Sequence, residues 1–122
     1  MTVQTEFDFT LPRGYLDSDG NLHREGVMRL ATASDEILPL KDSRVQSNPG
    51  YLAVILLSRV VRRLGDLPQI STRVIEELFA ADFAFLEEMY RRINTNGHNR
   101  IQVSCPECET RFEVEVQGSG EP

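Results

Sequence analysis

Two cysteines near the C-terminal end, Cys105 and Cys108, have the C-x-x-C spacing of a metal or redox site. Thiolates at the tip of a β-hairpin suit zinc, and a structural zinc site needs four ligands. Because the sequence contains two cysteines, the other ligands would come from His98 and His23, or from a second copy of the chain. A redox role would place the pair at a helix N-terminus, and that context is missing. Zinc binding, redox exchange and unligated thiols at a turn are three interpretations that the sequence leaves open.

A carboxylate within an apolar helical stripe is the second unusual feature. At about 100° per residue, Asp82 lies between Leu78 and Leu86 on the apolar face of a helix predicted over 71–94. An unpaired charge is costly there. Either the helix breaks near residue 81 and Asp82 caps its second part, or Asp82 pairs with an arginine of the preceding helix. A catalytic carboxylate is the third interpretation. The arginines considered as partners are Arg59, Arg62 and Arg63.

Sequence signatures of the common enzyme classes are absent. The chain has no glycine-rich phosphate loop, no G-x-S-x-G and no H-E-x-x-H. Its two histidines have no partner at a spacing typical of general acid–base catalysis. We therefore expect a protein that is not an enzyme.

Length and charge limit the remaining classes. The chain has 122 residues, and 13 Lys and Arg against 19 Asp and Glu give a net charge of −6. An acidic surface repels phosphate backbones, which disfavours nucleic acid as a partner. No apolar run approaches the ~20 residues needed to cross a bilayer, and the N-terminal residues lack the features of a secretory signal. We expect a cytoplasmic protein with one domain over 1–117 and a disordered tail over 118–122.

Hydrophobic periodicity predicts an α+β fold. Alternation in TEFDFT, turn residues over 17–21 and renewed alternation predict an N-terminal β-hairpin, with a break in the first strand over 11–15. Helices are predicted over about 32–40, 49–64 and 71–94, and a polar connection over 41–47. Their N-caps are Thr32, Asn48 and Ser71. Alternation returns after residue 97 and predicts a C-terminal β-hairpin that carries the C-x-x-C at its tip.

Four short motifs follow one another in a recognisable order along nearly the whole chain. In their order and spacing the sequence resembles the small tail and baseplate assembly proteins of contractile-tailed phages, particularly the T-even-type baseplate hub assembly chaperones. It is similar as well to compact proteins from phage-like contractile injection clusters of bacteria. The motifs are Leu11-Pro12 with Gly14, Thr32 with Asp35-Glu36, Leu78 with Asp82 and Phe85-Leu86, and Cys105 with Cys108.

The resemblance implies a non-enzymatic chaperone that binds a hub or tail subunit and prevents its premature association. The implied partner is a protein, with self-association left open and no role for nucleic acid or membrane. Exposed apolar positions on the helix over 49–64, such as Tyr51, Leu52 and Leu56, would shield a partner's interface unless they pack within the domain. The alternatives are a structural baseplate subunit that stays in the particle and a zinc-ribbon-type regulatory adaptor.

Overall fold

The N-terminal region forms the β-hairpin that the alternating pattern predicts. The computed structural model describes residues 4–96, 100–104 and 111–115. Strand β1 (Glu6–Leu16) pairs antiparallel with β2 (Leu22–Arg29) around a turn over 17–21. The predicted break in the first strand is wrong, because β1 runs through 11–15 and shifts its register there instead. Four residues of β1 thus lie opposite one residue of β2, which gives an enlarged β-bulge.

A third strand replaces the end of the predicted helix over 49–64. That segment begins as a 3₁₀ turn (Pro49–Tyr51), continues as helix α3 (Leu52–Val60) and ends as strand β3 (Val61–Leu64). Strand β3 pairs antiparallel with β2, so the sheet order is β1-β2-β3. The helix prediction is wrong over 61–64. The β-branched Val61 suits a strand. Pairing with β3 also satisfies backbone groups on the edge of β2 that a longer helix would leave unpaired.

The other helices are shorter than their sequence patterns predict. The segment over 32–40 is helix α1 (Ala33–Ile37) followed by a 3₁₀ turn (Leu38–Lys41). The segment over 41–47 contains helix α2 (Ser43–Ser47), so the predicted polar connection is wrong there. The segment over 71–94 contains two helices, α4 (Thr72–Glu76) and α5 (Ala80–Asn96), so the predicted break near 81 is present and lies over 77–79.

The predicted N-caps are confirmed, and local hydrogen bonds explain them. The side chain of Asn48 accepts the Gly50 amide, and that of Ser71 accepts the Val74 amide. Thr32 precedes α1, and its own amide donates to the carboxylate of Asp35 in the first helical turn. Caps depend on short sequence separations, which is why they were predictable.

One hydrophobic core lies between a face of the sheet and the helices α3, α4 and α5. Alternate residues of β1, among them Phe7 and Phe9, enter it, and the Phe9 and Phe85 rings pack edge to face. The most deeply buried apolar members are Leu11, Met28, Leu57, Val60, Leu64, Ile75, Leu86, Met89 and Ile93. The fold is therefore a mixed α+β arrangement in which helices cover one side of an antiparallel sheet.

Two further strands, β4 (Arg100–Ser104) and β5 (Arg111–Glu115), pair antiparallel. The predicted tip with Cys105 and Cys108 lies outside the described residues, as does the predicted tail over 118–122. The single-domain assignment over 1–117 stays a prediction. Within the described part of the chain, the helices are too short or too polar to cross a membrane.

Gly26 allows β2 and β3 to approach each other, and its replacement is expected to destabilise the sheet. A Cβ at Gly26 would lie 2.5 Å from the Arg63 carbonyl oxygen and would also overlap the Phe9 ring. We expect Gly26→Ala to lower the free energy of unfolding by about 2 kcal/mol, since backbone cannot move aside cheaply. Urea unfolding measures the loss. Gly50→Ala is the control, because its Cβ would meet only the Asn48 side chain; an equal loss in both variants would contradict the explanation.

Candidate functional site

Of the predicted zinc ligands, the structure places one. Cys105, Cys108 and His98 lie outside the described residues, and His23 is buried in β2. His23 Nδ1 accepts the amide of Asp66 at 3.2 Å, so Nε2 carries the proton and donates to Asp17 at 2.8 Å. Both ring nitrogens thus join the hairpin turn to the loop after β3. No group of three or more histidine and acidic side chains with metal-binding geometry occurs in the described ranges.

Asp82 accepts hydrogen bonds from two backbone amides of the β1 bulge. Its side chain is 0% exposed, and its two oxygens accept the amides of Arg13 and Gly14 at 2.8 and 3.0 Å. It lies in the first turn of α5, where the helix dipole favours a carboxylate. The neighbouring carbonyls of the bulge, those of Leu11 and Pro12, accept from the Arg24 guanidinium.

This pairing explains the L-P-x-G motif in structural terms. Pro12 has no amide that needs an acceptor, and Gly14 has a positive φ of 103° that disfavours other residues. Arg24 serves the carbonyls of the bulge and Asp82 serves its amides. The Asp82 carboxylate in the apolar stripe therefore stabilises the fold.

The three arginines considered as partners of Asp82 have other contacts. Arg59 Nε lies 3.0 Å from an Asp35 oxygen, Arg62 Nε lies 3.2 Å from a Glu6 oxygen, and Arg63 donates to the Gly65 carbonyl at 3.5 Å. The interpretation that Asp82 pairs with one of these arginines is therefore wrong. The predicted helix break is present at 77–79, but Asp82 does not cap the second helix, since it lies within the first turn of α5. The bulge supplies its hydrogen bonds instead.

Sequence reasoning missed an ion cluster around Asp35. Asp35 is 2% exposed, and Arg29 binds both of its oxygens, at 2.7 and 3.0 Å. Arg59 and the Thr32 amide complete its hydrogen bonds. The capping position of Asp35 was visible in the sequence. The two arginines were not, because they come from β2 and α3.

These contacts predict an acid-labile fold. The Arg29 guanidinium holds the pKa of Asp35 well below its usual range, Arg44 lowers the pKa of Asp42 to about 2, and the His23 hydrogen bond lowers that of Asp17. A carboxyl with a depressed folded-state pKa stabilises the fold above its unfolded pKa, and this stability is lost as pH falls towards the folded pKa. The expected result is constant stability from these groups above about pH 5 and a steady decline from about pH 5 to pH 2.

Thermal unfolding between pH 2.5 and pH 7 measures this decline. The Asp35→Asn variant should show a shallower decline, since it lacks the most strongly shifted carboxyl. Identical pH profiles for the two proteins would contradict the assignment.

Three neighbouring apolar side chains form a surface that we call the apolar patch: Ile37, Leu38 and Leu40. They are 47–57% exposed and flank the buried Pro39 at the end of α1 and in the 3₁₀ turn. Nearby, a groove of about 360 Å³ lies between α3 and α5 and is lined by Leu56, among others. Exposed apolar side chains that are clustered indicate interaction surfaces, whereas single ones are common on any protein.

A second and larger recess, which we call the acidic groove, lies between the hairpin turn and α4. It encloses about 1020 Å³ between residues 15–23 on one side and residues 66–77 on the other. Tyr15 is one of its lining residues; it stacks beside His23 and donates to Glu77 at 2.9 Å. Searches of protein-family models, curated proteins and solved structures gave no match for this chain. The function therefore has to be inferred from these surfaces and from the sequence motifs.

Proposed function

We propose that this protein is a non-enzymatic assembly chaperone for the tail or baseplate of a contractile phage tail or phage-like contractile injection system. It binds a hub or tail subunit in the cytoplasm and keeps that subunit from associating too early. The observation that supports a binding role is the apolar patch, three half-exposed side chains within four residues. The order of the sequence motifs supports the choice of partner.

Local contacts anchor the backbone on both sides of the patch, which favours binding over incidental exposure. Pro39 is buried beneath it, and Tyr90 of α5 donates to Glu36 at 2.5 Å beside it. At the other end, Asp42 caps α2 and forms a 2.9 Å ion pair with Arg44. A surface whose backbone is already ordered loses little conformational entropy when a partner covers it.

Burial of this patch by a client gives a physical basis for chaperone activity. Each leucine or isoleucine that becomes fully covered contributes up to about 1.5 kcal/mol from its exposed half. A client with an apolar assembly interface would therefore compete with its own assembly partner for that interface. The net charge of −6 favours the solubility of the free chaperone.

The proposal is tested with purified subunits and with assembled particles. We expect tube, sheath, hub and baseplate genes beside its own gene, and their absence would refute the proposal. The tagged protein is mixed in turn with the subunits that these genes encode, and each affinity is measured. We expect one subunit to bind, and binding to weaken at least tenfold in the double variant Ile37→Ser, Leu40→Ser. Phe79→Ser is the matched control, since Phe79 is equally exposed but lies outside the patch.

Particle composition separates a chaperone from a retained subunit. Deletion of the gene should abolish complete particles in electron micrographs, while mass spectrometry of wild-type particles should find the protein absent or far below one copy per site. Stoichiometric retention would instead make it a structural baseplate subunit. Normal particles after deletion would refute both functions.

We also infer that β4 and β5 form the C-terminal hairpin, with Cys105 and Cys108 at its tip. If this tip holds zinc, the protein is closer to a zinc-ribbon-type adaptor. Metal analysis of the purified protein, with Cys105→Ser as the control, decides this alternative. Zinc in the wild type and its loss in the variant would support it, and zinc-free wild-type protein would refute it.

A further inference from the structure

We propose that the acidic groove binds a short basic peptide segment that carries an apolar anchor and belongs to another protein. Four carboxylates line the groove and one arginine, Arg73, opposes them. The carboxylates are those of Asp17, Asp19, Asp66 and Glu77. This excess of negative charge selects a positively charged occupant.

Two leucines provide the apolar part of the site. Leu16 and Leu22 are direct cross-strand partners at the end of the β1–β2 hairpin, and each is 54% exposed at the edge of the groove. A side chain inserted between the hairpin and α4 would bury both leucines. A combination of apolar contacts and surrounding charge is typical of peptide recognition, where the apolar anchor gives affinity and the charges give specificity.

The groove is rigid enough to recognise a defined segment. His23 joins Asp17 of one wall to the Asp66 amide of the other, and Tyr15 joins the hairpin to Glu77 of the α4 side. These hydrogen bonds hold the two walls of the recess together before any ligand enters. Its volume is at the upper end of the range for ligand sites.

Charge and position both point to an occupant from another protein. A second copy of this acidic chain is disfavoured by its own net charge of −6. Residues 1–3 and 116–122 contain no lysine, arginine or histidine. The C-terminal end of α5 lies beside Ala31, where the Asn94 side chain accepts the Ala31 amide. That end of the sheet is about 25 Å from the hairpin tip, given the rise per residue of the eight-residue strand β2.

This inference rests on the proposed function only for the identity of the protein that supplies the segment. Peptide binding is measured directly, with a fluorescein-labelled 12-residue probe that has four lysines and three leucines among glycines and serines. Two comparison probes replace the lysines with glutamates or the leucines with serines. Fluorescence anisotropy gives the affinities, and NMR chemical shifts locate the bound probe.

The test variant is Asp19→Lys, Asp66→Lys. Both residues use their backbone amides in the hydrogen bonds of the turn and of His23, so these bonds survive the substitutions. The charge-matched control is Asp8→Lys, Glu87→Lys, which changes the net charge equally but lies outside the groove. Leu16→Ser, Leu22→Ser tests the apolar part, and circular dichroism verifies that each variant is folded.

We expect the basic probe to bind with a dissociation constant below about 100 μM and to shift resonances over 15–23 and 66–77. Binding should weaken at least tenfold in the test variant and in the leucine variant, and less than threefold in the control. Equal weakening in test and control variants, shifts that centre on the apolar patch, or no binding at 1 mM would each overturn the inference. If the probe fails but gene deletion abolishes particles, the groove inference alone fails; the reverse result refutes the chaperone function alone.

Discussion

Replacing Asp82 with alanine is expected to lower the free energy of unfolding by about 3–4 kcal/mol and the melting temperature by about 12–16 °C. The substitution leaves the part-buried amide of Arg13 and the buried amide of Gly14 without their acceptor. Each of these is a hydrogen bond to a charged group, and water has poor access because Asp82 is fully buried. Urea unfolding followed by circular dichroism measures the loss.

The Asp82→Asn variant distinguishes the bulge contact of Asp82 from ordinary helix capping. Asp82→Asn keeps the shape of the side chain but turns one of its two acceptors into a donor, which then faces a backbone N–H. We expect it to lose about 2 kcal/mol, between wild type and alanine. If Asp82 acted only as a cap, alanine would cost about 1 kcal/mol and asparagine almost nothing. Such a result would contradict the assignment.

Asp82 also shows how far sequence reasoning reaches at a buried polar residue. Its position in the apolar stripe correctly indicated that it needs partners. The partners are two backbone amides some 70 positions earlier, and every residue except proline has such an amide. Nothing in the side-chain pattern could single them out. Glycine and proline in the L-P-x-G segment were visible, but they predict an irregular backbone and not what contacts it.

The same distinction applies to the fold: elements that depend on neighbouring residues were predicted, and elements that depend on distant contacts were not. The hairpin turn and the three caps depend on residues within five positions of one another, and these were predicted. Strand β3 was not, since Val60 and Val61 fit either a helix or a strand until the free edge of β2 is known. The apolar patch was missed for a related reason. Helical periodicity does not tell which of two apolar faces the rest of the chain will cover.

Three of the four motifs on which the proposed resemblance to phage assembly proteins rests have structural roles in this protein. The L-P-x-G segment and Asp82 contact each other across the core, and Thr32 and Asp35 form a helix cap that also holds two arginines. Their order in the sequence therefore reflects the requirements of one fold. The surfaces proposed for binding, the apolar patch and the acidic groove, lie on other residues, so proteins with the same motifs could bind different partners.

The second large effect is expected at Asp35. Asp35→Ala should lower the free energy of unfolding by about 3 kcal/mol at pH 7, because it leaves Arg29 and Arg59 facing each other without their shared counterion. This loss of free energy is at the low end of the range for breaking a buried ion pair. The reason is that both arginines are partly exposed and regain some hydration. The helix cap at Thr32 is lost as well, because its amide donates to the same carboxylate.

An exposed ion pair provides the control for Asp35. Arg62 and Glu6 form a similar contact, at 3.2 Å, but with more than half of each side chain exposed. Glu6→Ala should therefore change the free energy of unfolding by no more than about 0.5 kcal/mol. In a double-mutant cycle, Asp35→Ala with Arg59→Ala should be less harmful than the sum of the single losses, because removing one arginine relieves the repulsion that the missing carboxylate creates. Strict additivity, or equal losses for Asp35→Ala and Glu6→Ala, would mean that burial does not set the strength of this cluster.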